Sequence, residues 1–448
     1  VNGDNLDDFF VGGEKGLKAR LFIQQPNGTF MSEFITTDST REDGAAAFLD
    51  VDNDGDLDLY VGGSCITSSD SAAVHLLYLN NGKGKFTAST TLPEITIPAS
   101  CVERADYDND GDLDLFVGER YQAGKYPAIS RSYILQNNNG TFVDVTAKLN
   151  PELEAPGMVT TASWVDIDGD KKMDLVIAGE WMPIRVFKNN GTTFKEVTLE
   201  MGLKNTNGWW NCLKVADLNG DGFMDIIAGN TGKNSFFQPT LENPVQMYAK
   251  DFDKNGFIDP IVTYYNNQEK ERFIVHNRLV LIDQIPGMKL RFQSFKTYAS
   301  TPFNKAFKPE ELEDAKVYEA FSLASCVLVN EAGQRFKKMD LPQIAQISTI
   351  NDILVEDVNG DHLPDLLLVG NNYSQETMFG AYDASLGTIL LNDGALGWKN
   401  LEASRSGFLV EKDARYIRPL RTAAGKGYII GNNNDSLTYF SMQPLPLP

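Results

Sequence analysis

Asp50-Val51-Asp52-Asn53-Asp54-Gly55-Asp56-Leu57-Asp58, followed at once by Leu59-Tyr60-Val61-Gly62-Gly63, is the stretch that decides the fold. Carboxylates stand at places 1, 3, 5 and 9 of a nine-residue loop, and the glycine at place 6 lets the backbone turn so that their oxygens converge. Calcium takes roughly six to eight hard oxygen ligands, so the side chains at 1, 3, 5 and 9, the place-7 carbonyl of Asp56 and a water would complete a shell. The loop opens like an EF-hand and does not close like one. It has no glutamate at place 12 and no helical period on either side, and a short alternating apolar run follows.

The loop is a repeat rather than a single motif. Asp106, Asp108, Asp110 and Asp114 reproduce it, as do Asp166, Asp168, Asp170 and Asp174. Three further copies admit asparagine, which offers a neutral oxygen at the same reach: Asp217, Asn219, Asp221 and Asp225; Asp251, Asp253, Asn255 and Asp259; Asp357, Asn359, Asp361 and Asp365. A seventh opens the chain, with Asn2, Asp4 and Asp8 at places 3, 5 and 9, so the sequence is expected to be a fragment of a longer chain. The backbone carbonyls expected to join the side chains are those of Leu6, Asp56, Asp112, Lys172, Phe223, Phe257 and Leu363. Lys171 and His362 replace the place-6 glycine in their loops, which makes full occupancy there less secure. A single Asp-Asn-Gly cluster could be an ordinary turn between strands, but seven in one register point to up to seven calcium ions.

Composition agrees with that reading. The formal charge of −21 would attract a basic partner, but the loop aspartates supply much of it, and seven divalent ions would cancel most of it. Nucleic acid is an unsuitable ligand for so acidic a chain. Hydrophobic residues make up 42% of the sequence and aromatics 10%, enough for a substantial core. No apolar run is long enough for a transmembrane helix, so contact with a membrane would need an assembly or an anchor outside this sequence. Weak calcium sites fill outside the cell, where the ion is abundant, which favours an extracellular or cell-surface location. Of the four cysteines, Cys212 and Cys326 read as small buried apolar residues.

Each full unit has one grammar, clearest from residue 44 to 90. Strands are expected at Ala45–Leu49, Leu57–Val61, Leu76–Leu79 and Lys85–Thr87, with the acidic loop between the first two and an Asn80-Asn81-Gly82 turn before the last. Four short strands, repeated, are the signature of a propeller blade. The fold class is therefore all-β: one calcium-binding β-propeller over residues 1–448, of seven blades with eight as the alternative. Loops start evenly at 50, 106, 166 and 217. The next start, 251, comes early, as if the unit near 211 had lost or shortened an outer strand. The one after, 357, comes late and implies a helical insertion within a blade at about 276–325, with helices over Leu279–Ile285, Lys289–Ala299 and Glu310–Ala320. A final unit, with strands near Tyr416–Leu420, Gly427–Ile430 and Leu437–Phe440, lacks a metal loop and should close the ring against the first.

If every acidic loop joins a first strand to a second, all of them lie on one face. The long connections then lie on the other: Ser64–Val74, Glu119–Arg131, the insertion and Asn371–Gly387. Binding residues concentrate on such loops. Cys65 and Cys101 both fall on this face and are candidates for a disulfide.

The loops followed by Leu-Tyr-Val-Gly-Gly or Leu-Phe-Val-Gly-Glu resemble FG-GAP/VCBS repeats, the units of the integrin alpha-subunit propeller, over nearly the whole chain. More narrowly, four features are similar to the cartilage-acidic-protein and UnbV/ASPIC-related group of Bacteroidetes: Gly179-Glu180-Trp181-Met182-Pro183-Ile184, Tyr126-Pro127 with Arg131-Ser132-Tyr133, Gly208-Trp209-Trp210-Asn211 and the helical insertion. The terminal UnbV/ASPIC segment is not recognisable. The resemblance implies a calcium-stabilised propeller at the cell surface, often one part of a longer chain, and no single activity, since such propellers serve adhesion, glycan binding and complex assembly; a subunit of a bacterial outer-membrane assembly is one such expectation.

On the face opposite the loops, Arg120, Tyr121, Trp181, Trp209, Asn230, Asn371 and Tyr373 combine aromatic planes with polar groups that suit a sugar or a protein partner. The same tryptophans could instead pack between blades. The basic residues of the insertion, Arg278, Lys289, Arg291, Lys296, Lys305 and Lys308, fit either a docking surface or the solvated sides of amphipathic helices. The three histidines sit in no nucleophile or zinc pattern, so no catalytic residue is assigned. A non-catalytic binding module is therefore expected, with a polysaccharide lyase or glycosidase as the alternative.

Overall fold

Second strands of the repeat are apolar on both faces, as in Asp114–Gly118, Asp225–Gly229 and Asp365–Gly370, where every residue is buried. Such a strand needs a sheet on each side, whereas outer strands such as Thr141–Asp144 alternate between core and solvent. The computed structural model describes residues 1–36, 38–64, 73–376, 378–423 and 425–441. Within them eight antiparallel sheets form, and seven close into a ring.

Blades two to four each run in chain order from the inner strand outward: Glu42–Leu49 to Thr87–Ser89, Cys101–Ala105 to Thr141–Asp144, and Met158–Val165 to Phe194–Glu196. Blade six spans Ile350–Glu356 to Trp398–Leu401. Blade one has three strands, Phe9–Val11, Arg20–Gln24 and Phe30–Phe34, and so does blade seven, Ala414–Thr422, Gly425–Asn432 and Thr438–Ser441. Inner strands of blades two to seven lie side by side, with a separate apolar core between each neighbouring pair. The seventh blade closes on the first, as expected: the Arg421 guanidinium pairs with Asp7 at 2.9 Å, and Gln24 Nε2 donates to the Arg421 carbonyl at 2.9 Å. The architecture is a seven-bladed β-propeller.

Blade five departs from the expectation of a shortened unit. Its inner strands, Cys212–Ala216 and Asp225–Gly229, are completed by Cys326–Asn330 and Phe336–Asp340, so it has all four strands and is interrupted after the second. The interruption is larger than 276–325 and is not simply helical. It holds the eighth sheet, in spatial order Glu271–Ile274, Asp259–Asn266, Val245–Lys250 and Lys316–Ala320. The Asp251 loop belongs to this extra sheet rather than to a ring blade. Helices Arg278–Gln284, Met288–Arg291, Phe295–Ala299 and Phe303–Ala306 cover it, burying Leu281, Ile285, Phe292 and Phe307 against Ile261.

Two helical expectations are corrected here. The 289–299 segment breaks where Ser294 caps a new helix, its hydroxyl accepting from Thr297 N at 3.1 Å. Past a single turn at Pro309–Glu311, the chain turns to strand instead of continuing as helix, because Tyr318 and Ala320 alternate into the core and Lys316–Ala320 pairs with Val245–Lys250. Tertiary pairing outweighs helical propensity there.

Cys65 lies outside the described residues. The expected pairing of Cys65 with Cys101 therefore falls outside the described residues as well, and Cys101 itself is buried. The thiol sits where Gly118 has no side chain: a Cβ there would lie 2.7 Å from the sulfur. That pocket points between blades three and four and away from solvent.

Candidate metal centre and the opposite face

Five of the acidic loops, those opening at Asp50, Asp106, Asp166, Asp217 and Asp357, join the first strand of a ring blade to its second and so share one face, while the Asp251 loop joins two strands of the inserted sheet. Places 4 and 6 are left-handed throughout, at Asn53 and Gly55 (φ 61° and 90°) as at Gly360 and His362 (80° and 67°). Lys171 and His362 therefore keep the glycine geometry, and the loops they belong to stay intact. The place-1 carboxylate accepts the place-6 N–H, as Asp50 Oδ2 does from Gly55 at 3.0 Å and Asp357 Oδ2 from His362 at 2.9 Å. The place-5 side chain accepts the place-7 N–H, as Asp54 Oδ1 does from Asp56 at 3.0 Å. These bonds fix the cage before any ion arrives.

Ligand atoms of Asp50, Asp52 and Asp58 lie within 4.8 Å of one another, and so do those of Asp106, Asp108 and Asp114, of Asp166, Asp168 and Asp170, and of Asp251, Asp253 and Asp259. Asp50 Oδ1, Asp108 Oδ1 and Asp168 Oδ1 are buried there without a hydrogen-bond partner. Buried carboxylate oxygens left unpaired beside other carboxylates fit a cation and little else. The cost of the metal-free cage shows at place 9. Burial, reinforced by neighbouring aspartates and opposed by backbone N–H donors, pushes the carboxyl of Asp58 up to about 6 and that of Asp114 up to about 7. Where asparagine holds place 3, at Asn2, Asn219 and Asn359, its amide donates to the place-5 carboxylate at 2.8–3.0 Å, so those loops are partly satisfied from within.

The Asp166 loop is the exception among the acidic ones. Lys188 Nζ pairs with Asp168 Oδ2, and Lys172 Nζ with Asp170 at 2.8 Å. At the position of Lys188, blade three has Gln136, whose amide donates to Asp108 Oδ2 at 2.6 Å without adding charge. An ammonium about 5 Å from a divalent ion costs on the order of 1–2 kcal/mol even when well solvated. Lys188→Gln is therefore expected to tighten calcium binding at this loop about tenfold. Calcium titration of wild type and variant by calorimetry checks this, and an unchanged set of affinities would count against it.

One set of residues was not anticipated from the sequence. Asn80, Asn137, Asn189, Asn330 and Asn392, at the ends of the third strands of blades two to six, are buried. In each, the backbone N–H donates to the place-9 aspartate of its own blade at 2.7–2.8 Å, and the side-chain amide donates to the place-2 carbonyl of the preceding blade's loop at 2.7–2.8 Å. Place 9 in turn accepts the place-2 N–H of its own loop, as Asp58 Oδ2 does from Val51 at 2.9 Å. One asparagine thus ties two successive metal loops together. Gln24 does the same between blades one and seven, its N–H on Asp8 Oδ1 at 2.8 Å and its amide on the Arg421 carbonyl. The visible signal was an asparagine directly before an Asn-Gly or Asp-Gly turn in three of the five, at Asn80, Asn189 and Asn392.

The opposite face is built differently from the expectation. Trp181 is buried, with Nε1 donating to the Tyr126 hydroxyl at 2.7 Å, and Trp209 packs edge-on to it at 5.2 Å. With Phe237, Tyr318 and Met247 they glue the inserted sheet to blade four, and Tyr121 packs on the same cluster. Asn230 and Asn371 are fully buried and spend their amides on backbone carbonyls, Asn230 on Ser322 and Asn371 on Ser385, Glu411 and Lys412. Arg120 pairs with Glu180, while Tyr373 stays half-exposed and donates to the Glu411 carbonyl at 2.6 Å. Trp181, Asn230 and Asn371 are thus structural and unavailable to a partner. In the insertion, Arg278 bonds the Phe292 carbonyl and Arg291 pairs with Glu311, so two of its basic residues are engaged within it.

Glu119 also lies on this side, 1% exposed, with Oε2 lacking a partner. Burial pushes its carboxyl up to about 8, so the folded state holds a proton that the unfolded chain releases. Its penalty is absent below the ordinary glutamate range, grows as pH rises from about 4.5 to 8, and then levels off. Glu119→Gln should remove that slope, leaving the variant more stable than wild type at pH 8 by on the order of 2 kcal/mol after screening, and equal to it near pH 4. Parallel denaturant titrations across pH test this.

A model of the FG-GAP-like repeat matches residues 1–61, 65–117 and 166–228, which hold five of the acidic loops. This chain is an FG-GAP repeat protein. Over 204 residues it is 30% identical to cartilage acidic protein 1 of Mus musculus, a match covering 42% of this chain and 30% of that protein. The human protein of that name is 29% identical over a match of the same length, covering 29% of it. This FG-GAP chain thus aligns with under a third of the length of those relatives. Among solved structures, Sqt1 of Saccharomyces cerevisiae aligns with 98% of this chain and 94% of its own at 13% identity and a TM-score of 0.45. The V. cholerae biofilm matrix protein Bap1 aligns with 99% of this chain and 90% of its own at 10% identity and a TM-score of 0.37. Among the described residues of the FG-GAP protein, no helix is long and apolar enough to cross a membrane.

Proposed function

We propose that this FG-GAP propeller is a non-catalytic binding module that works outside the cell, held in shape by calcium on one face and presenting the other to a glycan or protein partner. What carries the reading is the division of labour between the faces. The ring blades' acidic cages and asparagine ties occupy one face, and the interruption of blade five places a whole extra sheet, which carries the Asp251 cage, on the other, with Phe236, Met378 and Tyr373 exposed nearby. Exposed apolar residues gathered on loops over a rigid scaffold are the usual mark of an interaction site.

The test uses orientation. Calcium-loaded protein is fixed to a surface through a cysteine introduced at exposed Asn109, in the acidic-loop face, or at exposed Gln268, in the inserted sheet, and offered polysaccharides and extracellular-matrix proteins. Capture by the first orientation and not the second is the expected result. Equal capture by both would refute the assignment of faces, and release of reducing ends from a polysaccharide would favour an enzyme instead.

A further inference from the structure

Phe236 is 48% exposed, yet its ring is held from three sides. Phe237 lies 5.3 Å away edge-on and is itself buried against Trp209; Tyr264 stands at 4.8 Å and Phe379 at 5.3 Å. The exposed ring therefore has a fixed orientation, which lowers the entropy cost of using it in binding. It is also a ridge between two grooves. The larger, of about 440 Å³, runs along the inserted sheet past Tyr264, Tyr265, Asn243, Asn266 and Gln268. The smaller, of about 290 Å³, lies toward Phe379 and Tyr382.

The larger groove has an unusual lining for so acidic a protein. Among the described residues its lining has no lysine, arginine, aspartate or glutamate; it is formed by phenylalanine and tyrosine rings, Pro239, Val245 and the amides of asparagine and glutamine. A groove of this size accommodates a small ligand or one or two rings of a polymer. A groove lined by no cation offers an anionic ligand nothing to pair with, on a chain whose formal charge of −21 seven calcium ions would not fully cancel, and a groove with no carboxylate offers nothing to a cationic one. What remains is a neutral molecule with apolar faces to stack on a ring and hydroxyls at its rim for amides to read, which describes a sugar.

We infer that the larger groove beside Phe236 is a subsite for a neutral glycan, with Phe236 stacking on one sugar ring and Asn243 and Gln268 bonding its hydroxyls. This rests on the binding-module reading and gives it a ligand class. The test is a calcium-loaded titration with neutral gluco-, galacto- and manno-oligosaccharides and with alginate oligosaccharide as an anionic control, followed by saturation-transfer NMR. At least one neutral probe should bind and alginate should not. Phe236→Ala should weaken that binding about tenfold and Phe236→Tyr should keep it. Both should stay folded in calcium, with Phe236→Ala melting a few degrees lower for the loss of its contacts with Phe237, Tyr264 and Phe379. Binding undiminished in Phe236→Ala, or preference for alginate, would overturn the subsite. Should no sugar bind while a matrix protein is captured in the first orientation alone, the subsite falls and the module stands. Absence of any capture, by sugar or protein, would sink both.

Discussion

Removing calcium should lower the melting temperature by about 10–20 °C. Three cages, those opening at Asp50, Asp106 and Asp251, bring carboxylates within 4.8 Å of one another, and the lysine pairs seen on the Asp166 loop have no counterpart on their carboxylates among the described residues. A ligand at about a hundred times its dissociation constant stabilises the state it binds by about 2.7 kcal/mol, so three such sites supply on the order of 8 kcal/mol. That is comparable to the whole stability of an ordinary folded domain. At roughly 2 °C per kcal/mol for a chain of this size, the shift falls in the stated range. Without the ion, burial, reinforced by neighbouring aspartates, pushes the place-9 carboxyls of Asp58 and Asp114 up to about 6 and about 7, so the metal-free ring carries a penalty for charge at both of those cages. Calorimetric melts in millimolar calcium and in excess EDTA decide the matter, with magnesium as a control because it tolerates this geometry poorly. Coincident transitions would mean that the hydrogen bonds within the loops hold the ring unaided.

The acidic loops were legible in the sequence because their grammar is local. Nine residues specify the turn, its two left-handed positions and the convergence of oxygens, and the flanking strands follow from alternation. Membership of a blade is a different kind of fact. Asp225–Gly229 takes Cys326–Asn330 as its neighbour across the whole insertion, and nothing near residue 229 announces it. The well-formed loop at Asp251 therefore looked like one more ring unit, and blade five looked truncated. Individual residues expected to be available on the opposite face prove buried for a related reason. Trp181 lies near the end of the second strand Asp174–Met182 and Asn371 just after Asp365–Gly370, where a loop residue would be exposed, but the insertion covers the first, and the carbonyls of Glu411 and Lys412 claim the second. The asparagine ties could have been read, since Asn80-Asn81-Gly82, Asn189-Asn190-Gly191 and Asn392-Asp393-Gly394 keep one register with the loops. A turn explains the last two residues of each. Only the neighbouring blade explains the first.

Cutting one of those ties should cost more than a turn residue would. Asn189 is 2% exposed; its amide donates to the Tyr107 carbonyl at 2.7 Å and to Met173 at 3.2 Å, and its oxygen accepts from Gly191 N at 2.8 Å. Alanine there leaves buried carbonyls on two blades without donors, a loss of about 2–4 kcal/mol. The effect should also reach the metal, because Tyr107 N–H is bonded to Asp114 Oδ2 and the Tyr107 peptide therefore helps to place a ligand of the Asp106 loop. Asn189→Ala is thus expected both to destabilise the fold and to weaken calcium at the Asp106 loop a few-fold, although that loop lies in the preceding blade. Gln24→Ala supplies the comparison. It opens the seam between blades seven and one, where the seventh blade contributes the Arg421 carbonyl and no acidic loop, so stability should fall while calcium binding at the Asp106 loop stays as in wild type. Equal effects of the two variants on that loop would reduce the asparagines to ordinary packing, whereas a loss confined to Asn189→Ala would show that each ion is held partly by the next blade around the ring.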